Sequence, residues 1–189
     1  MDHSTSKLKS ELIRVIKQRS YREGDFTLAS GKKSKFYIDL KATTLHPEGA
    51  QLIGKLAVQM IKEANFIPQG VGGLTLGADP LATAISLAAW QEGLFWPAFI
   101  VRKESKGHGT GKVIEGAENL KPGAQVIVLE DVVTTGGSSL QAIQKLREAG
   151  YNPIAALTVV DRQDNGEATL AAENVRLLSL VTLQELMGK

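Results

Sequence analysis

Apolar residues recur at helical spacing in several stretches of the chain, and this spacing predicts the helices of the fold. In the first stretch, Leu8, Leu12 and Ile16 share one face. Pro47 suits the first turn of a second helix, because its missing N–H would have no partner there. The predicted helices span residues 8–17, 47–64, 80–91, 138–149 and 166–172.

The helix predicted over 138–149 carries a signal at each end. Ser138 and Gln141 have the spacing of a capping box, in which each side chain bonds the other residue's backbone N–H. Gly150 suits the left-handed conformation that ends many helices.

Shorter apolar runs alternate with these helices and predict strands. Residues 126–130 begin with a continuous apolar run, which is typical of a parallel strand buried on both faces. A turn rich in Gly, Ser and Lys is expected over 27–35. The predicted strands span residues 36–40, 69–73, 97–102, 126–130, 154–160 and 175–180. This alternation predicts an α/β fold with a mostly parallel central sheet flanked by helices.

Composition excludes several classes of protein. The 189 residues include no cysteine, and the three histidines lie far apart, so disulfides and zinc sites of the usual spacing are not expected. We find no apolar run long enough to span a bilayer and no signal-peptide pattern at the start. A net charge of only +2 does not indicate a nucleic-acid partner. These features predict a soluble, cytoplasmic protein that binds neither membrane nor nucleic acid.

A polar, glycine-rich stretch follows the strand predicted over 97–102. It contains Arg102, Lys103, Lys106, His108 and Lys112. A long loop inside a compact domain is often a lid over a functional site, although a surface insertion with a solvated charge cluster has the same composition.

The strongest chemical signal is the segment 126–139. An apolar strand ends in Glu130 and Asp131; a turn of Thr134, Thr135 and two glycines follows, and then a helix. Backbone N–H groups at such a turn bind phosphate, and carboxylates accept hydrogen bonds from ribose hydroxyls. The segment therefore predicts a ligand with a sugar and a phosphate. A strand–turn–helix connection with incidental polar residues is the structural alternative.

Two other phosphate-binding motifs do not occur. In a P-loop, Gly111 and Lys112 would be followed by Ser or Thr, but Val113 stands there. The glycines from 107 onward do not fit the dinucleotide-binding motif, because its sixth place holds Lys112.

The segment 126–138 resembles the phosphoribosyl-pyrophosphate (PRPP) signature of type I phosphoribosyltransferases. Three further segments resemble orotate phosphoribosyltransferases. Residues 102–111 resemble their mobile catalytic loop, residues 27–34 with 37–39 their amino-terminal orotate-side element, and residues 160–166 the segment that holds the orotate carboxylate. Residues 72–80 fall where the family keeps its pyrophosphate loop. The resemblance covers roughly residues 20–166 in the family's order.

The resemblance implies transfer of the phosphoribosyl group of PRPP to orotate in pyrimidine (UMP) biosynthesis, with Mg²⁺ held mainly through PRPP and water. It implies a homodimer whose catalytic loop serves the neighbouring subunit. It also implies one domain over 1–189, with an N-terminal hood element over 1–45 and a core over 46–189 that includes a flexible loop at 102–115.

The implied catalytic residues are Arg102, Lys103, Lys106 and His108. The implied PRPP-binding residues are these four with Glu130, Asp131, Val132, Val133, Thr134, Thr135, Gly136, Gly137 and Ser138. The implied orotate-binding residues are Thr134 and Arg162.

The chain departs from the family pattern at two places. Many members carry lysine where this chain has Ala29, and many carry a lysine in the pyrophosphate loop, where this chain has Leu76. Lys32, Lys33 and Lys41 are the candidates to replace these cations. A purine salvage phosphoribosyltransferase and a non-catalytic PRPP-sensing regulator stay as alternative functions.

Overall fold

The computed structural model describes residues 3–27, 33–104 and 113–188. The helices are α1 (His3–Arg19), α2 (Lys41–Thr44), α3 (Pro47–Glu63), α4 (Asp79–Gln91), α5 (Gly137–Glu148), α6 (Gly166–Ala171) and α7 (Leu183–Leu186). The strands are β1 (Tyr21–Thr27), β2 (Lys33–Ile38), β3 (Val71–Leu74), β4 (Ala98–Val101), β5 (Ile114–Glu115), β6 (Gln125–Val133), β7 (Asn152–Asp161) and β8 (Arg176–Thr182).

Six strands form the central sheet in the order β5-β4-β3-β6-β7-β8. All neighbours pair in parallel except β4 and β5, which are antiparallel. The α/β fold with a mostly parallel sheet is therefore confirmed. The carboxyl ends of β3 and β6, which are adjacent, meet at one edge, where open parallel sheets bind their ligands.

Alternate residues of β6 pack into two cores on opposite faces of the sheet. Ile127 and Leu129 contact the core formed with α1, α3 and α4. Val126 and Val128 contact the core formed with α5 and α6. Because all four are fully buried, this strand is held from both sides, as its continuous apolar run indicates.

The predicted elements are present, with shifted ends. Pro47 occupies the first turn of α3, and Gly150 follows α5 with a φ of 82°, as predicted. The turn predicted over 27–35 is wrong at its end, because β2 begins at Lys33; residues 28–32 lie outside the described part of the chain. The helices α2 and α7 and the strand β5 were not predicted, since two to four residues carry no periodic pattern.

The strands β1 and β2 form a separate antiparallel hairpin. Most side chains of β1 are exposed. In the described residues, no helix combines the length and apolar character needed to cross a bilayer.

Candidate active site

The acid pair lies within β6, which continues past it to Val133. The prediction that the strand ends at Glu130 is wrong, because pairing with β7 continues as far as Val133 opposite Asp161. The neighbouring strand β3 stops pairing with β6 at Leu129. Both carboxylates therefore extend past the end of β3, into the space above the loop that follows it.

Gly77, in that loop, shows how closely the two carboxylates approach the backbone. A Cβ atom at Gly77 would lie 2.7 Å from Asp131 Oδ1 and 3.2 Å from Glu130 Oε1. A side chain at this position would therefore have to displace the Asp131 carboxylate. Both carboxylates thus face the loop after β3, although they are consecutive residues of one strand.

A cleft of about 200 Å³ lies between this loop and the acid pair. Its walls combine both carboxylates with two lysines and the start of α5. The lining residues are Lys41, Leu74, Thr75, Leu76, Gly77, Lys103, Glu130, Asp131 and Ser138.

The carboxyl group of Glu130 has a strongly raised pKa. Burial, followed by the negative charge of Asp131, raises the pKa of Glu130 to about 8, and the positive charge of Lys103 acts in the opposite direction. Its Oε2 atom is buried and has no hydrogen-bond partner among the described residues. Such an oxygen is suited to accept a hydrogen bond from a ligand hydroxyl or to approach a hydrated cation.

The turn after β6 leads into α5 through Gly136, which has a φ of 84°. The predicted capping box is wrong: the N-cap is Gly136, no side chain caps the helix, and Ser138 lies inside its first turn. The left-handed glycine turns the chain directly into the helix. The first-turn N–H groups are thus left without a side-chain cap, which favours binding of an anion.

This turn borders a small depression beside the cleft. Glu130 and Ser138 line both the depression and the cleft, so the acid pair and the glycine turn belong to one site. The other lining residues are Val132, Val133, Thr134, Gly136, Gly137 and Ser139. The Val133 side chain itself is buried in the core.

The segment after β7 packs tightly against the same turn. A Cβ at Gly166 would lie 2.8 Å from the carbonyl oxygen of Thr134, and the backbone N–H of Arg162 donates to Val133 O at 2.9 Å. The predicted orotate-binding residue therefore lies next to the predicted phosphate turn.

Arg162 also connects the site to the hairpin. Its guanidinium carbon lies 4.9 Å from the ring centroid of Phe36 in β2. Its Nε atom is buried without a hydrogen-bond partner among the described residues, and the nearest carboxylate oxygen, of Asp164, is 3.7 Å away. This guanidinium is thus positioned by an aromatic ring and retains donors for a carboxylate ligand.

The start of the predicted catalytic loop is fixed by α5. Lys145 Nζ donates to the carbonyl oxygens of Arg102 and Lys103. Lys103 lines the cleft, whereas the Arg102 guanidinium pairs with Glu115 at 2.9 Å. Lys106 and His108 lie outside the described residues.

Three residues that shape this geometry were not predicted from the sequence. Lys145 is one of several polar residues on α5, and nothing in its spacing indicates a contact with the loop. Phe36 was assigned only to a strand. Gly77 was noted only as part of the pyrophosphate segment, although a lone glycine after a strand signals close backbone approach.

The described residues contain no group of three or more His, Asp or Glu side chains with the geometry of a metal site.

Thr134 and Thr135 stand in the turn, as predicted, and Thr134 lines the depression together with Glu130. Their predicted roles stay predictions.

The chain is similar to known phosphoribosyltransferases. Residues 40–177 match the family described as "Phosphoribosyl transferase domain". An orotate phosphoribosyltransferase from Thermosynechococcus vestitus is 49% identical over 98% of this chain and 96% of its own length. Another, from Aquifex aeolicus, is 47% identical over 95% of this chain and 97% of its own length.

Solved structures show the same fold. The orotate phosphoribosyltransferase of Mycobacterium tuberculosis in complex with PRPP superposes with a TM-score of 0.80 at 36% identity, covering 95% of this chain and 99% of that one. An adenine phosphoribosyltransferase from Trypanosoma brucei, 17% identical, has a TM-score of 0.68 over 95% of this chain and 80% of that one, and shows the fold alone. From its sequence, its fold and its cleft, the chain belongs to the orotate phosphoribosyltransferase family.

Proposed function

We propose that this protein transfers the phosphoribosyl group of PRPP to orotate, giving orotidine 5′-phosphate and pyrophosphate in pyrimidine biosynthesis. The observation that carries the proposal is the shared site of the acid pair and the glycine turn. One ligand with a ribose and a 5-phosphate would contact both at once. Family membership supports orotate as the acceptor.

Each side of the site has a distinct task in this reaction. Glu130 and Asp131 accept hydrogen bonds from the ribose hydroxyls, and the backbone of residues 134–138 binds the 5-phosphate. Arg162 binds the orotate carboxylate through its guanidinium, and Thr134 lies beside the base. These contacts place the orotate nitrogen at ribose C1, on the side away from the leaving pyrophosphate.

The loop that begins at Arg102 covers the reacting groups. Lys103, Lys106 and His108 stabilise the negative charge that builds on the departing pyrophosphate, and closure of the loop excludes water that would hydrolyse PRPP. The fixed anchor at Lys145 gives this loop a defined base from which to close.

Magnesium is part of the proposal. The Oε2 atom of Glu130, which has no hydrogen-bond partner in the described part of the chain, lies next to Asp131 and fits a hydrated cation that arrives with PRPP. Bound there, Mg²⁺ would neutralise charge on the pyrophosphate. The Asp131 carboxylate and the Glu130 carboxyl group would orient the ribose and contact the hydrated ion through water.

We further propose a cytoplasmic homodimer in which residues 102–115 of one subunit reach the cleft of the other. The resemblance of this loop to the family's catalytic loop supports this arrangement. The absence of cysteine supports a reducing compartment.

The direct test is orotate consumption. Purified protein with PRPP and Mg²⁺ should lower the ultraviolet absorbance of orotate, and chelation of the metal should stop the reaction. Adenine and xanthine serve as alternative acceptors. Turnover of a purine without turnover of orotate would replace the proposed function by purine salvage.

A hybrid dimer tests the shared loop. His108→Ala and Asp131→Asn subunits with different tags are co-expressed, and the hybrid is purified through both tags. If the loop crosses between subunits, one of the two sites is intact, and the hybrid has about half of wild-type activity. If each loop serves its own subunit, no site is intact and the hybrid is as inactive as its parents.

A further inference from the structure

The pyrophosphate side of the cleft lacks a cation in the loop after β3. Thr75, Leu76 and Gly77 line the cleft, and none carries a positive charge. Leu76 is 66% exposed, so an aliphatic side chain faces solvent where the leaving group of the proposed reaction would lie. Pyrophosphate carries several negative charges, and a site that releases it needs positive charge nearby.

Two of the described residues that line this cleft are cations, Lys103 and Lys41. Lys103 belongs to the start of the proposed catalytic loop. Lys41 is the first residue of α2 and therefore belongs to the body of the protein. It lies close enough to Asp131 for that carboxylate to raise the pKa of its ammonium.

Asp39 holds the Lys41 side chain in place. The Nζ atom lies 2.7 Å from Asp39 Oδ1, and the backbone N–H of Lys41 donates to the same oxygen at 3.1 Å. The pairing with Asp39 is the main cause that raises the pKa of Lys41, so the ammonium stays charged. About half of the side chain (51%) is exposed, which leaves the ammonium within reach of a ligand.

The other candidate lysines do not share this position. Lys33 lines a separate groove of the hairpin, together with Asp25 and Lys35. Lys32 lies outside the described residues. We propose that Lys41 binds the pyrophosphate group and takes the place of the lysine that the loop after β3 lacks. This inference rests on the proposed function and assigns a further residue to it.

The test measures binding of magnesium pyrophosphate by calorimetry. Lys41→Met should weaken this binding about tenfold to hundredfold, because it removes a hydrogen bond between two charged groups. Binding of orotidine 5′-phosphate should change little, since this product has no pyrophosphate. Lys41→Arg should retain most of the affinity for pyrophosphate.

Lys62→Met is the matched control. Lys62 is also paired with a carboxylate at 2.7 Å, and its side chain is 53% exposed, but it lies on α3 and pairs with Glu92 outside the cleft. Its replacement should leave both affinities unchanged. An equal loss in Lys62→Met would show a non-specific charge effect and overturn the inference.

A rescue variant tests whether Lys41 acts through its charge. Lys41→Met combined with Leu76→Lys moves the cation to the loop across the same cleft, and should recover the affinity for magnesium pyrophosphate. Any of three results would overturn the inference: the double variant does not recover affinity for pyrophosphate, Lys41→Met leaves that affinity unchanged, or Lys41→Met weakens binding of orotidine 5′-phosphate equally. Because these binding measurements need no turnover, a protein that binds pyrophosphate through Lys41 but does not convert orotate would contradict the proposed function alone.

Discussion

The two sides of the cleft are built in opposite ways. On the donor side, where PRPP would bind, β6 is buried between two cores and leads through Gly136 into α5. On the acceptor side, where orotate would bind, Arg162 is bordered by the hairpin β1–β2, whose first strand is mostly exposed. The donor side is therefore enclosed by the core, whereas the Arg162 guanidinium on the acceptor side lies against the Phe36 ring of the hairpin. Substitutions on the two sides should separate PRPP binding from orotate binding.

The largest effect is expected from Asp131→Asn, on the donor side. Loss of the charge next to the ribose hydroxyls should weaken PRPP binding about hundredfold, because hydrogen bonds to a charged group are the strong ones. Calorimetry with PRPP measures this, and Asp25→Asn, an exposed residue of the hairpin, is the control. Unchanged PRPP affinity in Asp131→Asn would remove the acid pair from the site.

Glu130→Gln should change how stability depends on pH. The folded protein keeps the Glu130 proton up to about pH 8, whereas the unfolded chain releases it near its ordinary pKa of 4.5. Unfolding therefore releases a proton within this window, and stability falls as pH rises. After an allowance for partial exposure, the fall due to Glu130 is about 2 kcal/mol between pH 5 and pH 8.

Urea unfolding of the wild type and of Glu130→Gln at pH 5, 6.5 and 8 measures this difference. The variant should lose less stability than the wild type as pH rises, and Glu118→Gln, an exposed control, should follow the wild type. Parallel pH profiles for wild type and Glu130→Gln would contradict a raised pKa for Glu130.

On the acceptor side, Arg162→Lys should raise the KM for orotate about tenfold, because an ammonium cannot grip a carboxylate with two parallel hydrogen bonds. The KM for PRPP should stay unchanged. Steady-state kinetics with each substrate varied separately measures both, with Arg147→Lys, which pairs with Glu173, as the control. An increase confined to the KM for PRPP would place Arg162 on the donor side instead.

The smallest effect is expected from Phe36→Leu. The ring contributes about 0.5–1 kcal/mol to holding the Arg162 guanidinium, so the KM for orotate should rise about twofold to fivefold. Phe26→Leu removes the neighbouring aromatic contact of the same hairpin, with Tyr37 at 5.6 Å, and should leave this KM unchanged. Equal changes in both variants would mean that the hairpin responds as a whole, without a specific role for Phe36.

The elements of the core were predictable because their periodic patterns are local. The run from Val126 to Leu129 indicated a buried parallel strand, and Pro47 and Gly150 marked the ends of two helices. The start of α5 was not predictable in the same way. Ser138 has the spacing of a cap, but the N-cap is Gly136, two residues earlier, in a left-handed conformation.

The sequence by itself determined the α/β order, the acid pair, the glycine turn and the candidates for the site, since each depends on residues close together in the chain. Only the tertiary structure decided which distant residues meet. Gly77 faces Asp131, Lys145 holds the carbonyls of Arg102 and Lys103, and Lys41 rather than Lys33 lines the cleft. The physical reason is that these contacts join segments roughly 40 to 90 residues apart, and their geometry is set by how the sheet brings strand ends together, which no local pattern encodes.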